Sequence, residues 1–236
     1  MEVVMLAEEA SAIRAILAGF RDDELSPMLD VGASTREFRE TSQPYIFKEI
    51  AEPLRARGIR CVNLDLKTME GIDLAGDLLE PAIQARAQEL SARCVLCANV
   101  LEHVEDVDKF AEALEEIVPV GGLLVVSVPQ SYPYHLDPID NEFRPTPEQL
   151  AAKFRRSTLL SGQTVVGESY SAELRRKPVR ERVLVVLKAG VHLLLPFYKP
   201  EMRKTHLQRL WWLWRPYRVS LIVMRRAAGA GSVTSA

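Results

Sequence analysis

Four polar residues stand where apolar runs end, and each could grip a ligand. Asp30 closes the run at 27–31, within Met28-Leu29-Asp30-Val31-Gly32-Ala33-Ser34-Thr35. Asp65 closes the run at 60–66, Asp77 the run at 71–78, and Asn99 follows the run at 93–98. A carboxylate accepts hydrogen bonds from ligand hydroxyls and amines, and an amide side chain can both accept and donate. Gly32 permits the positive φ or close backbone approach that a turn toward a ligand needs. Small neighbours leave backbone N–H groups room to face that ligand. Ordinary strand-end turns would use the same residues. A second spacing, Cys94-Val-Leu-Cys97, is that of a metal or redox pair. It falls in an apolar run that reads as a strand, where positions i and i+3 face opposite sides, so neither metal nor redox use is expected.

The elements that must hold these residues alternate. Ile13, Ile16, Leu17 and Phe20 sit at helical spacing in 7–20, an amphipathic opening helix. A strand at 27–31 follows. Ile46, Ile50 and Leu54 mark a helix over 44–57 with Gly58 as its C-cap. Strands are expected at 60–66, 71–78, 93–98 and 123–128, with helices at 80–91 and 105–118 and a turn at Gly121-Gly122. Thr146, Pro147 and Gln149 open another helix as N-cap, N1 and N3. Strands at 164–170 and 218–225 complete the pattern. Strands alternating with helices give a parallel sheet covered on both faces. Ligands of such sheets sit beyond the carboxyl ends of the strands, where Asp30, Asp65, Asp77 and Asn99 lie.

The 236 residues suffice for one α/β domain with insertions, and 47% hydrophobic with 26% charged residues is ordinary for a globular chain. Net charge is only −2, which gives no whole-protein case for nucleic acid. The charge is unevenly spread. Residues 1–174 carry 16 Lys and Arg against 30 Asp and Glu, whereas 175–226 carry 14 against 2. The basic part therefore suits an acidic surface: the protein's own acidic half, an anionic lipid or an anionic substrate. Three cysteines without a disulfide framework fit a reducing cytoplasm. The N-terminus lacks a basic region followed by an apolar core, so no signal peptide is expected.

The order of features from about 25 to 155 resembles the class I S-adenosylmethionine-dependent methyltransferases, of the small-molecule kind called methyltransferase type 11. The resemblance rests on Leu29-Asp30-Val31-Gly32, Leu64-Asp65, Gly76-Asp77-Leu78, Asn99-Val100-Leu101-Glu102-His103-Val104 and Gly121-Gly122-Leu123-Leu124. It implies a Rossmann-like seven-stranded α/β methyltransferase sheet with helices on both faces and a helical insertion near the C-terminus. It also implies S-adenosylmethionine as cofactor. The loop Asp30, Gly32 and Ser34 would hold the methionine part, through backbone groups and the Asp30 carboxylate. Asp65, with Leu66 beside it, would accept from the ribose hydroxyls. Asp77 would accept from the adenine amino group, with Leu78 on the ring. Asn99 would line the cavity near the methionine part and sulfonium. The family's loop has three alternating glycines, and this chain departs from it with Ser34 and Arg36 at the second and third. A nicotinamide dehydrogenase would need G-x-G-x-x-G after strand one, and a DNA amino-methylase Asn/Asp-Pro-Pro-aromatic after strand four; neither is present.

Methyl transfer from a sulfonium is mainly a matter of alignment, but an oxygen acceptor needs help in losing its proton. His103, His135 and Asp137 are the candidate catalytic residues, with Asp140 as a further carboxylate. His103 also fits a helix-start histidine bonded to backbone, and the others fit loop and cap residues among prolines. The segment Tyr134 to Pro147 looks like one in methyltransferase-like proteins of bacterial carbohydrate clusters, which implies a glycan or other polyhydroxy acceptor. The expected division is 1–170 with 218–226 as the cofactor-binding domain, 171–217 as an insertion, and 227–236 as a disordered tail. The insertion reads as a lid, as core or dimer packing, or as a peripheral membrane contact through 175–214, where Arg175, Arg176, Lys177, Arg180 and Arg182 flank an apolar run and Trp211, Trp212 and Trp214 follow. The apolar run at 183–195 is too short for a span of ~20 residues. The expected activity is methyl transfer to a small-molecule or glycan acceptor at oxygen. The alternatives are a membrane-surface enzyme with a lipid-linked acceptor and a non-catalytic cofactor-binding partner. No metal is expected, and the oligomeric state stays open.

Overall fold

The computed structural model describes residues 5–134, 139–176, 178–194 and 212–228. Seven strands are present among them: β1 (Met28–Val31), β2 (Cys61–Asp65), β3 (Leu74–Ala75), β4 (Cys94–Ala98), β5 (Leu123–Ser131), β6 (Ser157–Ser169) and β7 (Pro216–Arg226). They form one sheet in the order β3-β2-β1-β4-β5-β7-β6. Strands β1 to β5 pair in parallel, and β7 runs antiparallel between β5 and β6. This is the seven-stranded Rossmann-like methyltransferase sheet expected from the motifs. The reversal from β2 to β4 across β1 makes the switch point at which ligands of open α/β sheets bind.

The central strands are apolar on both sides because both faces are covered. Leu29, Val31, Val95, Cys97, Leu124 and Val126 pack against α5 (Pro81–Glu89) and α6 (Val107–Ile117). Met28, Cys94, Leu96, Leu123 and Val125 pack against α1 (Ala7–Ala18) and the helical segments between Phe38 and Ala56. Cys94 and Cys97 thus enter opposite cores, as strand parity requires. Facing opposite cores, they do not form a chelating pair, and burial pushes the Cys94 thiol up to about 12.

Local capping is as the sequence indicates at two places. Gly58 adopts φ +73°, and its N–H bonds to the Arg55 carbonyl at 3.0 Å. Thr146 caps α7 (Pro147–Ala151) in a reciprocal box: the Gln149 N–H donates to Thr146 Oγ1 at 3.3 Å, and the Thr146 N–H donates to Gln149 Oε1 at 2.9 Å.

Three expectations need correction. The helix read over 44–57 does start at Pro44 and runs to Ala56, but it contains a π-helical turn, Phe47–Ala51, and a separate π-helical turn, Phe38–Ser42, precedes it across a break at Gln43; a 3.6-residue pattern reveals neither turn. The third strand shrinks from 71–78 to Leu74–Ala75. The sixth lengthens from 164–170 to Ser157–Ser169 and stops before Tyr170, which starts α8 (Tyr170–Arg176). The first seven residues of β6 after Ser157 are exposed, so no burial alternation marks them. From α8 the chain continues into α9 (Val179–Leu194), and it returns at Pro216. The tail from residue 229 and the stretch at 195–211, including Trp211, lie outside the described residues. No described helix is long and apolar enough to cross a membrane.

Candidate active site

The parallel strands deliver their terminal polar residues to one edge. Asp30, Gly32, Ser34, Asp65, Leu66, Asn99 and His103 line a cavity of about 200 Å³, together with Met5 from the start of the chain and Lys67. A second cavity of about 350 Å³ adjoins it and shares Gly32, Asp65, Leu66, Val100 and His103. Asp77, Leu78, Phe110 and Ile139 close its far end. Every cofactor-binding candidate therefore lines one continuous cleft, and His103 lies at the seam of its two parts.

Gly32 is required by the space as well as by φ +78°. A Cβ on it would lie 2.3 Å from Val100 Cγ2. Ser34, where a glycine is usual, takes the left-handed conformation at φ +59°. Arg36 turns outward: its Nη1 donates to Glu70 Oε1 at 2.7 Å, and its side chain keeps clear of the cleft lining.

The loop's N–H groups are already committed. Those of Gly32 and Ala33 donate to the Leu64 carbonyl at 2.8 and 3.2 Å, and that of Ser34 donates to Asp65 Oδ2 at 2.9 Å. Asp65 Oδ1 accepts the Lys67 N–H at 3.1 Å, and Asp77 Oδ1 accepts the Leu79 N–H at 2.9 Å. These bonds fix both carboxylates in orientation, and each oxygen has a second lone pair for a ligand donor. Burial pushes the Asp30 carboxyl up to about 6, with Asp65 adding to the rise and Arg39 opposing it. At neutral pH the cleft is thus negative, which suits a cationic ligand. Lys67 is the lysine or arginine among the residues that line the first cavity.

Behind the strand ends lie two buried acids to which the motifs assigned no role. Glu9 in α1 is fully buried and accepts from Asn99, Ser127 and the Leu6 N–H. Burial pushes its carboxyl up, against the pull of those hydrogen bonds. Its sequence signal is a charge on an apolar stripe, since Glu9 precedes Ile13 by four residues. Glu102 is also fully buried, and neither oxygen has a hydrogen-bond partner among the described residues. Burial raises it to about 8. Beside it, His103 Nδ1 is 2.5 Å from the Ile139 carbonyl, and its Nε2 is 3.7 Å from Glu102 Oε1.

The segment after β5 is latched over this turn. Asn141 donates through its N–H to the Glu102 carbonyl at 2.9 Å, and through Nδ2 to the Leu101 and Val104 carbonyls, both at 2.8 Å. Arg144 Nη2 donates to Asp140 Oδ2 at 2.6 Å, so Asp140 is held in a buried ion pair. His135 and Asp137 lie outside the described residues.

Residues 6–176 match the family model described as Methyltransferase domain. The chain belongs to that family. The methyltransferase uses S-adenosylmethionine as its methyl donor. No curated protein sequence matches it. Among solved structures it is similar to a loganic acid methyltransferase with SAH, at 11% identity and a TM-score of 0.53, with 94% of each chain covered. It is similar also to a coclaurine N-methyltransferase bound to N-methylheliamine and SAH, at 14% identity and a TM-score of 0.52, with 95% of this chain and 73% of that one covered. At such identities the likeness is one of fold. The cleft itself fits the cofactor on two counts. The cradle at Gly32 leaves no room for a Cβ, and Asp65 and Asp77 stand oriented at the ends of β2 and β3.

Proposed function

We propose that the methyltransferase transfers methyl to an oxygen of a small-molecule or glycan-type acceptor, with His103 taking the hydroxyl proton. The observation that carries this reading is the place and tautomer of His103. A carbonyl only accepts, so the short bond to Ile139 puts the hydrogen on Nδ1, the tautomer in which Nε2, beside Glu102, is the nitrogen that can take a proton. The ring stands at the seam of the two cavities, where a reacting methyl and an acceptor would meet.

When bound, S-adenosylmethionine supplies a methyl group already activated by its sulfonium. Asp65 with Leu66 would hold the ribose end, Asp77 and Leu78 the adenine, and Asp30, Gly32, Ser34 and Asn99 the methionine part. Because the Gly32–Ser34 N–H groups are committed, Lys67 is the better partner for the methionine carboxylate. Residues 1–170 and 218–226 serve the cofactor in this reading. Residues 171–217, with His135 and Asp137, serve the acceptor.

Transfer of a labelled methyl group to a panel of sugars and other polyhydroxy compounds tests the reading. His103→Gln is expected to lower turnover by about 10²-fold or more, the usual worth of a positioned base, with cofactor affinity unchanged. Unchanged turnover would remove His103 as the base. Calorimetry with S-adenosylmethionine on wild type and Asp65→Ala tests the cofactor half separately.

A second reading is a lipid-linked acceptor at an anionic membrane surface. It is favoured by Val179, Val183, Leu184 and Leu187, all exposed on α9, and by Trp214, 83% exposed, in a part of the chain rich in arginine. Flotation with anionic vesicles decides it, since a protein that stays wholly in the aqueous fraction has no such contact.

A further inference from the structure

Glu9 is the residue that the cofactor motifs leave unexplained. It is fully buried in α1, yet it faces the carboxyl ends of β4 and β5. Everything that touches its carboxylate donates. Ser127 Oγ–H donates to Oε1 at 2.6 Å, and the Leu6 N–H donates to Oε2 at 3.2 Å. Asn99 Nδ2 donates to Oε1 and Oε2 at 3.0 and 3.2 Å. In all four contacts Glu9 accepts, the pattern that suits a carboxylate, although burial disfavours its charge there. Helix packing alone would be served better by an apolar side chain.

The consequence falls on Asn99. Its backbone is fixed by its N–H on the Ser127 carbonyl at 2.9 Å and adopts φ +56°. An amide is planar, and its nitrogen end is committed to Glu9. Its oxygen end has no hydrogen bond among the described residues, and Asn99 lines the cleft. Oδ1 is therefore the end offered to a ligand, and it can only accept. The group of the cofactor that suits it is the ammonium of the methionine part, a cation with hydrogens to donate.

We propose that Glu9 is a positioning residue which sets the polarity of Asn99, so that the cleft presents an acceptor to the cofactor's ammonium. This rests on the reading of the cleft as the cofactor site given above. Glutamine at position 9 keeps one accepting oxygen, for which the Leu6 N–H competes, and sets an amide nitrogen against Asn99 Nδ2, which contacts both positions. The Asn99 amide would turn over to receive it, and a donor would then face the ammonium. The fold is retained and the preference is lost.

The test compares two ligands by calorimetry: S-adenosylhomocysteine, and its deaminated analogue with hydrogen in place of the amino group. Wild type is expected to favour the ammonium-bearing ligand by about tenfold or more, the usual worth of a hydrogen bond to a charged group. In Glu9→Gln that preference collapses while affinity for the deaminated ligand is kept. A preference that survives in Glu9→Gln overturns the proposal. Equal weakening of both ligands overturns it too, because a purely structural role would act so. If Glu9→Gln does not fold, the ratio in Asn99→Ala decides: a preference that persists there overturns the link through Asn99. If wild type binds neither ligand, it is the cofactor reading that fails.

Discussion

Glu102→Gln should make the protein more stable in mild alkali while leaving it nearly unchanged in weak acid. Glutamine copies the shape of the protonated carboxyl and cannot ionise. In the folded chain Glu102 is fully buried, has no hydrogen-bond partner among the described residues, and is raised from 4.5 to about 8 by burial. The residue's own backbone N–H and then Arg144 oppose the rise, and Glu9 and Asp140 add to it. The sign follows from linkage. Between about pH 4.5 and pH 8 the folded protein holds a proton that the unfolded chain has released, so stability falls as pH rises through that window. Each unit is worth at most about 1.4 kcal/mol, so the whole window amounts to roughly 5 kcal/mol. Between pH 6 and pH 8 the gap between variant and wild type should widen by about 2 kcal/mol. Asp30 also titrates above its usual range, but it is common to both proteins and drops out of the difference. Urea unfolding at half-unit steps of pH measures it; for a urea slope of about 2 kcal/mol per molar, the midpoints should separate by about 1 M. Parallel curves for the two proteins from pH 6 to pH 8 would mean that Glu102 is not a buried neutral acid.

Other perturbations read different parts of the molecule. Gly32→Ala places a methyl group against Val100 Cγ2 at a φ that alanine resists, so cofactor affinity by calorimetry should fall about tenfold or more and thermal stability by about 2 kcal/mol. Lys67→Ala should weaken S-adenosylmethionine binding without moving the melting temperature, because the residue is exposed. Equal affinity would return the methionine carboxylate to another partner. Glu115→Ala should cost about 2 kcal/mol in chemical denaturation, since the buried carboxylate accepts from the Arg156 N–H at 2.8 Å and Ser157 Oγ at 2.6 Å. A thiol reagent at pH 8 should leave Cys94 and Cys97 untouched until the protein unfolds, since both are buried and burial raises both thiols.

What could be read from the sequence was local or periodic. Gly58 and Thr146 announce caps because a cap is made within a few residues. Strand parity separates Cys94 from Cys97 for the same reason. Asp30, Asp65, Asp77 and Asn99 gather because a parallel sheet brings all its carboxyl ends to one edge. What escaped depends on partners far away in the chain. Glu9 meets Asn99 across 90 positions, and no spacing rule joins them. The Gly32–Ser34 loop looked like a backbone cradle, yet its N–H groups bond to Leu64 and Asp65 on the neighbouring strand. Arg36 looked like an obstruction where glycine is usual, and a partner 34 positions away draws it aside. The long β6 left no pattern because most of its side chains face solvent on both sides.

That strand has a bearing on how the protein is handled. The sheet ends in β3 on one side, two residues long, and in β6 on the other, thirteen residues long. The outer rim of β6 carries a row of backbone donors and acceptors that no neighbouring strand among the described residues satisfies. From Ser157 to Gly167 it has no charged residue, and Leu159, Leu160 and Val166 are exposed along it. Lysines, prolines or short length usually blunt such a rim against pairing with another chain. Here the two offsets in register, at Leu159/Ser161 and Val166/Ser169, are what break its straight course. In concentrated solution or during refolding, this rim is where unwanted strand pairing between molecules would begin. A lysine in place of Leu160 is the change that would discourage it at least cost to the fold.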